Sequence, residues 1–496
     1  MESRLHIYNT LSRKKEEFIP LNPPFVGLYA CGPTVYSEVH LGNLRSFTSF
    51  DMMYRYLMYS GYKVRYVRNI TDAGHITDDA GVDNDRIGDR ARLEQLEPME
   101  IVQKYTVNFH EVCKLFNLLP PSVEPTATGH ILEQIEMVQR IIDNGYGYVA
   151  NGSVYFDVRK YSEKYNYGKL SGRKIDELLE TTRELDGQEE KKYFADFAIW
   201  KAVTPQHIQK WNSPWGAGVP GWHLECSVMS TKYLGKEFDI HAGGNDIKFP
   251  HHECEIAQSV GADGIEPVKY WVHTNMLTVN GEKMSKSKGN SFLPLELFAG
   301  AHPLLAKPYS PSVVRFFMMQ THYSSTLDFS NEALQAAEKG FARLSEAYKI
   351  LFDFSMKDFE DTTIDNENDL DIVKLSSLLK NHMDDDFNTP RTIAVLFDLA
   401  SIIYKIKFEK LKINVRILVG LRNTFDNYFK EILGLQIQES GDNNLSSGLM
   451  DLILEMRKEA RTNKNWNTSD LIRDRLASLN IQVKDEKDGA VSWTSI

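Results

Sequence analysis

Phe25-Val26-Gly27-Leu28-Tyr29-Ala30-Cys31-Gly32-Pro33-Thr34-Val35-Tyr36-Ser37-Glu38-Val39-His40-Leu41-Gly42-Asn43 is the stretch on which the fold turns. Its first six residues are an apolar run of strand length and read as a strand buried in a parallel sheet. A turn containing Gly and Pro leads into an amphipathic run over residues 44–60, which reads as a helix closed by Gly61. Residues 62–68 then alternate as a second strand. Strand, turn, helix, strand is a βαβ unit whose turn delivers the chain to a helix N-terminus. Free backbone N–H groups and the helix dipole make such an end an anion site. His40 can donate to phosphate oxygens. Gly42, with no side chain, lets a flat base lie against its backbone.

A second phosphate-binding element lies far downstream. Lys283-Met284-Ser285-Lys286-Ser287 packs two ammonium groups and two hydroxyls into one short loop, with Gly281 before it and Gly289 after it. Lys-Ser repeats ordinarily form solvated basic loops; the upstream anion site gives this one a phosphate to bend around. Together, His40-Leu41-Gly42-Asn43 and Lys283 to Ser287 resemble the two signatures of class I aminoacyl-tRNA synthetases. The first departs from the usual His-Ile-Gly-His by ending in Asn43, whose amide can still donate to phosphate. The resemblance implies a catalytic set of His40, Asn43, Lys283 and Lys286. The same residues would bind ATP with Gly42, and with Gly244 and Asp246 of His241-Ala242-Gly243-Gly244-Asn245-Asp246.

Four cysteines, Cys31, Cys113, Cys226 and Cys254, are too few and too dispersed for a disulfide framework and point to a reducing cytosol. Cys113 reads as a small buried hydrophobe. Cys31 ends the first strand, where side chains face the ligand crevice of an open α/β sheet. Cys226 belongs to Gly221-Trp222-His223-Leu224-Glu225-Cys226, and Pro250-His251-His252-Glu253-Cys254-Glu255 follows later. On a helix beginning near Pro250, His251 and Glu255 share one face. Thiolate, imidazole and carboxylate all suit zinc, but without a CxxC the spacing leaves His252, Glu253 and Cys254 as competing ligands.

Residues 221–229 and 239–258 resemble the zinc segments of cysteinyl-tRNA synthetases. Cys31, Cys226, His251 and Glu255 stand at that family's zinc-ligand positions. The likeness runs nearly end to end. Tyr66-Val67-Arg68-Asn69-Ile70-Thr71-Asp72 resembles the second strand and amino-acid pocket, for which Cys31, Gly32, Thr71 and Trp222 are the implied residues; Trp222 reads equally as core packing. Asp384-Asp385-Asp386-Phe387-Asn388-Thr389-Pro390 resembles the start of a helical domain, and Arg473-Asp474 with residues 485–493 the anticodon module. The loop 73–92, acidic and rich in Gly and Asp, looks lineage-specific and has no evident chemical role.

The implied architecture is α/β: a Rossmann-type parallel-sheet catalytic domain (residues 1–118 and 221–330) split by a connective insertion (119–220). A helical tRNA-binding bundle (331–436) and a small anticodon-recognition module (440–496) follow. The Pro120-Pro121 pair marks the first boundary, and acidic residues 353–371 and polar residues 438–447 read as linkers. The implied reaction is activation of L-cysteine with Mg2+-bound ATP to cysteinyl-adenylate, then transfer to tRNA(Cys), by a cytoplasmic monomer holding one Zn2+. A net charge of −11 disfavours nucleic-acid binding in general. Local basic clusters answer it: Lys405, Lys407, Lys410, Lys412 and Arg416, then Arg457, Lys458, Arg461 and Lys464, although such runs are often only solvated helix faces. Arg461, Lys464, Arg473 and Trp493 are the candidate tRNA contacts; Trp493 also reads as a core plug. No run of 18 apolar residues suggests a membrane span, and the N-terminus lacks a secretory h-region. Two alternatives stand beside it: a mycothiol-type ligase joining cysteine to an amino-sugar, which shares both signatures and the zinc site but lacks the anticodon module, and a non-catalytic synthetase paralogue, of a kind that usually loses a signature.

Overall fold

The computed structural model describes residues 4–74, 85–174, 190–204, 207–284, 289–361, 367–437, 441–463, 465–478, 481–485 and 491–495. Ser285, Lys286, Ser287, Lys464 and the Asp488-Gly489 turn lie outside them. The chain divides into two units, Met1–Leu435 and Gln436–Ile496.

The first unit is built on the expected βαβ start. Strand β1 (Phe25–Ala30) leads to helix α1 (Leu41–Tyr59) and strand β2 (Lys63–Arg68). Later come helix α2 (Trp222–Leu234), strand β3 (Phe238–Gly244), helix α3 (Glu253–Asp263) and strand β4 (Val268–Thr274). The four strands are parallel in the order β4-β3-β1-β2. The strand order reverses between β1 and β3, so a crevice opens at their carboxyl ends. Cys31 follows β1 there, and its N–H donates to the carbonyl of Ala242 on β3 (3.2 Å).

Helix α1 begins at Leu41, three residues before the amphipathic run suggested. His40 is its N-cap: Nδ1 accepts from the Asn43 N–H (3.2 Å), and Asn43 Oδ1 accepts from the His40 N–H (3.1 Å). This is a capping box made with His and Asn in place of Ser and Glu. The helix expected from Pro250 starts later, at Glu253. Residues Lys248–His252 form a wider turn in which Phe249 is extended (φ −136°, ψ 133°). His251 and Glu255 remain four apart across that junction, and their side chains still meet.

The insertion is richer in strand than its sequence suggested. Gly147–Ala150, Ser153–Phe156, Phe197–Ala202, Gly216–Pro220 and Trp211–Ser213 pair in that order as an antiparallel sheet. Helix Ile131–Asp143 and this sheet share one core with the parallel sheet: Met137, Ile141, Phe156 and Trp200 belong to the same buried cluster as Tyr29 and Trp271.

Helices Pro311–Met319, Asn331–Asp353, Glu367–Asp384, Thr389–Phe408 and Val415–Asp426 follow in the same unit. The expected linker 353–371 thus ends inside a helix that starts at Glu367. Arg315 is buried and ties three regions together: it pairs with Asp51 of α1 and donates to the carbonyls of Leu433 (2.6 Å) and Phe116 (3.0 Å). Asp51 also accepts from Arg55 (2.8 Å) and from the Leu119 N–H (2.7 Å).

The second unit has helices Gly441–Thr462 and Trp466–Ser478 and a hairpin, Ile481–Asp485 with Val491–Ser495, over a small core of Met450, Leu454 and Leu476. The expected linker 438–447 is therefore helical from Gly441. Its Asp442-Asn443-Asn444 run suits a helix start as well as a loop. Among the described residues no helix is long and apolar enough to cross a membrane.

Candidate functional site

Cys31, at the carboxyl end of β1, and Cys226, one turn into α2, bring their Sγ atoms to 3.9 Å. The α3 junction adds His251 and Glu255, with Nε2 and Oε1 3.1 Å apart. One donor atom from each of the four lies within 4.8 Å of the others. The same is true of Cys31, His241, His252 and Glu255, with Cys31 Sγ 3.3 Å from His252 Nε2 and 3.6 Å from His241 Nε2. Of the competing ligands raised by spacing, Glu253 and Cys254 point elsewhere. Glu253 accepts from the N–H groups of Ser171 (2.8 Å) and Leu170 (3.4 Å), and Cys254 meets Tyr167 Oη at 3.5 Å.

The electrostatics of this cluster ask for a cation. Burial raises the pKa of Glu255 well above the carboxylate range. Burial, then the hydrogen bond with Cys226, pushes the Cys31 thiol well up. Burial holds the His241 and His252 imidazoles well below their usual value. Only Cys226 moves towards its anion, to about 7, chiefly through the hydrogen bond with Cys31. Glu255 Oε1 is buried with no hydrogen bond of good geometry. Two thiols, imidazole and carboxylate converging with that oxygen orphaned fit a divalent, thiophilic metal. Outer partners are in place: His251 Nδ1 is 3.0 Å from His223 Nδ1, and His252 Nδ1 is 2.8 Å from His273 Nε2.

Beside the cluster is the wall assigned to the amino-acid pocket. The Gly32 N–H donates to Asn69 Oδ1 (2.9 Å), Asn69 Nδ2 to Thr71 Oγ1 (3.1 Å), and Thr71 Oγ1 to Glu225 Oε2 (2.9 Å). A Cβ on Gly32 would sit 1.6 Å from the Asn69 carbonyl oxygen, so no other residue fits there. Trp222 is half-buried with its ring 4.6 Å from that of His251.

The His40–Asn43 cap and the start of the basic loop meet at the N-terminus of α1. A Cβ on Gly42 would meet the His40 ring at 3.0 Å and the methyl of Met284 at 3.3 Å, so the basic loop begins over Gly42. The chain beyond that loop returns to the same place, where the Leu41 N–H donates to the Phe292 carbonyl (3.0 Å). Lys283 is exposed on the two-residue strand Glu282–Lys283, and Asp246 is exposed just past β3. Lys286 falls outside the described residues.

Sequence reasoning did not single out His241, His223, His273, Asn69 or Glu225. A signal was available for the histidines: His223, His241, His251, His252 and His273 crowd five of the chain's 14 into residues 223–273.

A parallel sheet with the His40–Asn43 cap and the start of the basic loop at one helix N-terminus is what the class I resemblance implies, and residues 17–339 match the family model "tRNA synthetases class I (C) catalytic domain". A methionyl-tRNA synthetase of Mycobacterium tuberculosis, solved with methionyl-adenylate, superposes with a TM-score of 0.58 over 82% of this chain and 89% of its own. At 13% identity it shows the fold alone. Residues 380–438 match the DALR domain and 447–493 the "Cysteinyl-tRNA ligase anticodon binding domain". Cysteine–tRNA ligases of Bacteroides fragilis and Chlorobaculum tepidum are 53% and 45% identical over 99% of both chains. The chain belongs to the cysteine–tRNA ligase family of class I aminoacyl-tRNA synthetases.

Proposed function

We propose that the chain activates L-cysteine with ATP to cysteinyl-adenylate and transfers the cysteinyl group to the 3′ end of tRNA(Cys). The observation that carries this reading is the convergence of Cys31, Cys226, His251 and Glu255 at the carboxyl end of the parallel sheet that also carries α1. In the first step the cysteine carboxylate attacks the α-phosphate of Mg2+-bound ATP and pyrophosphate leaves. The work is positioning and charge stabilisation rather than covalent catalysis.

The capping box orients two donors for it. With Nδ1 accepting from the Asn43 N–H, the neutral His40 ring carries its proton on Nε2. With Oδ1 held by the His40 N–H, Asn43 keeps its Nδ2 as a donor. Lys283 and Lys286 add charge to the leaving phosphates, the backbone at Gly42 and Gly244 accommodates the adenosine, and Asp246 takes the ribose. Cys31, Gly32, Thr71 and Trp222 shape the cysteine pocket, with Thr71 fixed through Asn69 and Glu225.

Zn2+ on Cys31, Cys226, His251 and Glu255 would supply a soft acceptor for the substrate sulfur, which a serine hydroxyl matches poorly. The match of residues 447–493 to an anticodon-binding domain favours tRNA over an amino-sugar acceptor. Both signatures are kept, which favours an enzyme over a non-catalytic paralogue. The reading places the protein in the cytoplasm as a monomer. Incubation of the purified protein with radiolabelled cysteine, ATP and unfractionated tRNA should give acid-precipitable counts. Adenylate formation without charged tRNA would reject tRNA as the acceptor, and no adenylate at all would reject the ligase reading.

A further inference from the structure

Tyr29 stands two residues before Cys31 at the end of β1, so both side chains leave the same face of the sheet. It is fully buried and lies opposite His241 in the register of β1 with β3, the two rings 5.0 Å apart. Its Oη is buried with no hydrogen bond of good geometry. A buried hydroxyl left so costs stability until something accepts its proton. Burial, then the charges of Cys226 and Cys31, raise its pKa well above the phenol range, so the hydroxyl neighbours the two sulfurs and keeps its proton.

The sulfur in need of a donor is Cys226. Cys31 Sγ has ring nitrogens of His252 and His241 at 3.3 Å and 3.6 Å. Among the described residues the hydrogen-bond partners of Cys226 Sγ are Cys31 Sγ and Asn69 Oδ1, both at 3.9 Å. Once both cysteines are thiolates, neither partner has a proton to give. His251, which also acts on Cys226, is itself one of the proposed ligands. Two thiolates and a carboxylate leave a site holding Zn2+ negatively charged, and a substrate thiolate adds to that charge. Buried charge of this kind calls for hydrogen-bond donors around the ligands.

We propose that Tyr29 is a positioning residue of the metal site, its Oη donating to the Cys226 thiolate when the metal is bound. A thiolate that shares a lone pair with a hydroxyl gives less charge to the metal, which stays the better acceptor for the substrate sulfur. The inference rests on the reading above that Cys31, Cys226, His251 and Glu255 hold Zn2+.

The test is Tyr29→Phe, which removes one oxygen and keeps the ring. Competition with a chelator should show zinc held about tenfold to a hundredfold more weakly than in wild type, the scale of a lost outer partner. In Co2+-loaded protein the sulfur-to-metal charge-transfer band should move to longer wavelength, because a thiolate without its donor gives up an electron more easily. KM for cysteine should rise about tenfold or more, the worth of a hydrogen bond to a charged group, while KM for ATP stays within about twofold. Metal-free Tyr29→Phe should be at least as stable as metal-free wild type, since the hydroxyl it loses has no good partner there. Phe238→Leu loosens a ring 6.4 Å from that of Tyr29 and keeps the hydroxyl, so its band should stay in place. Unchanged zinc affinity and band position in Tyr29→Phe, an equal band shift in Phe238→Leu, or a Tyr29→Phe protein that is unstable without metal would overturn the inference. Wild-type protein that binds no zinc, or a Cys226→Ala variant that keeps it, would instead reject the metal reading on which it rests.

Discussion

Cys226, like His251, belongs to only one of the two overlapping donor sets and so separates them. About one zinc per chain is expected, and Cys226→Ala should lose most of it by metal analysis. Zinc retained in full would move the site to Cys31, His241, His252 and Glu255. For these residues the sequence was informative about chemistry and weak on geometry. Cys31 and Cys226 stand far apart in the chain, and only family resemblance joined them to His251 and Glu255. The turn at Lys248–His252 decides which imidazole points where, and nothing in Pro250-His251-His252 announces its extended Phe249. Hence His252, one of several competing ligands by spacing, lies 3.3 Å from Cys31.

Helix α1 links the chemistry to the scaffold. Its N-terminus carries His40 and Asn43, and its middle carries Asp51, the partner of Arg315 and Arg55. Asn43→Asp separates the two tasks given to Asn43. A carboxylate still accepts from the His40 N–H and suits the positive end of the helix, so Tm should stay near wild type. The amide donor is lost and a negative charge faces phosphate, so exchange should fall about 10²-fold or more. Near-normal exchange would leave Asn43 as a cap only. The first turn of α1 was missed in the sequence because Asn43 was read for phosphate chemistry, not as the partner in a cap. Apart from Ser153–Phe156, where a strand near 153–158 was expected, the short strands of the insertion were missed for another reason. Gly216-Ala217-Gly218-Val219-Pro220 carries no alternation and two glycines, so only pairing with Phe197–Ala202 and Trp211–Ser213 makes it a strand.

Across the whole molecule, the unit Gln436–Ile496 has its own small core, so removing it leaves the core of the first unit intact. A chain ending at Ile437 should keep most cysteine-dependent ATP–pyrophosphate exchange and lose most tRNA charging; equal charging would show that the second unit does not read tRNA. Arg461 and Arg473 are exposed there, as a tRNA contact requires. Trp493 stands opposite Val483 in the hairpin register, and Lys464 lies outside the described residues. The βαβ start and the parallel sheet were legible because buried parallel strands are continuous apolar runs. The polar stretch 438–447 misled, since Asp and Asn favour loops and helix starts alike. A buried thiol-rich metal site should select cysteine without any editing step. The decisive experiment is ATP–pyrophosphate exchange by the wild-type protein with cysteine and with serine. A cysteine preference of roughly 10⁴ or more in kcat/KM is expected, the range of sites that leave a strong partner unmatched by the wrong substrate. Serine within about tenfold of cysteine, a gap of only about 1.4 kcal/mol, would contradict selection by the metal site.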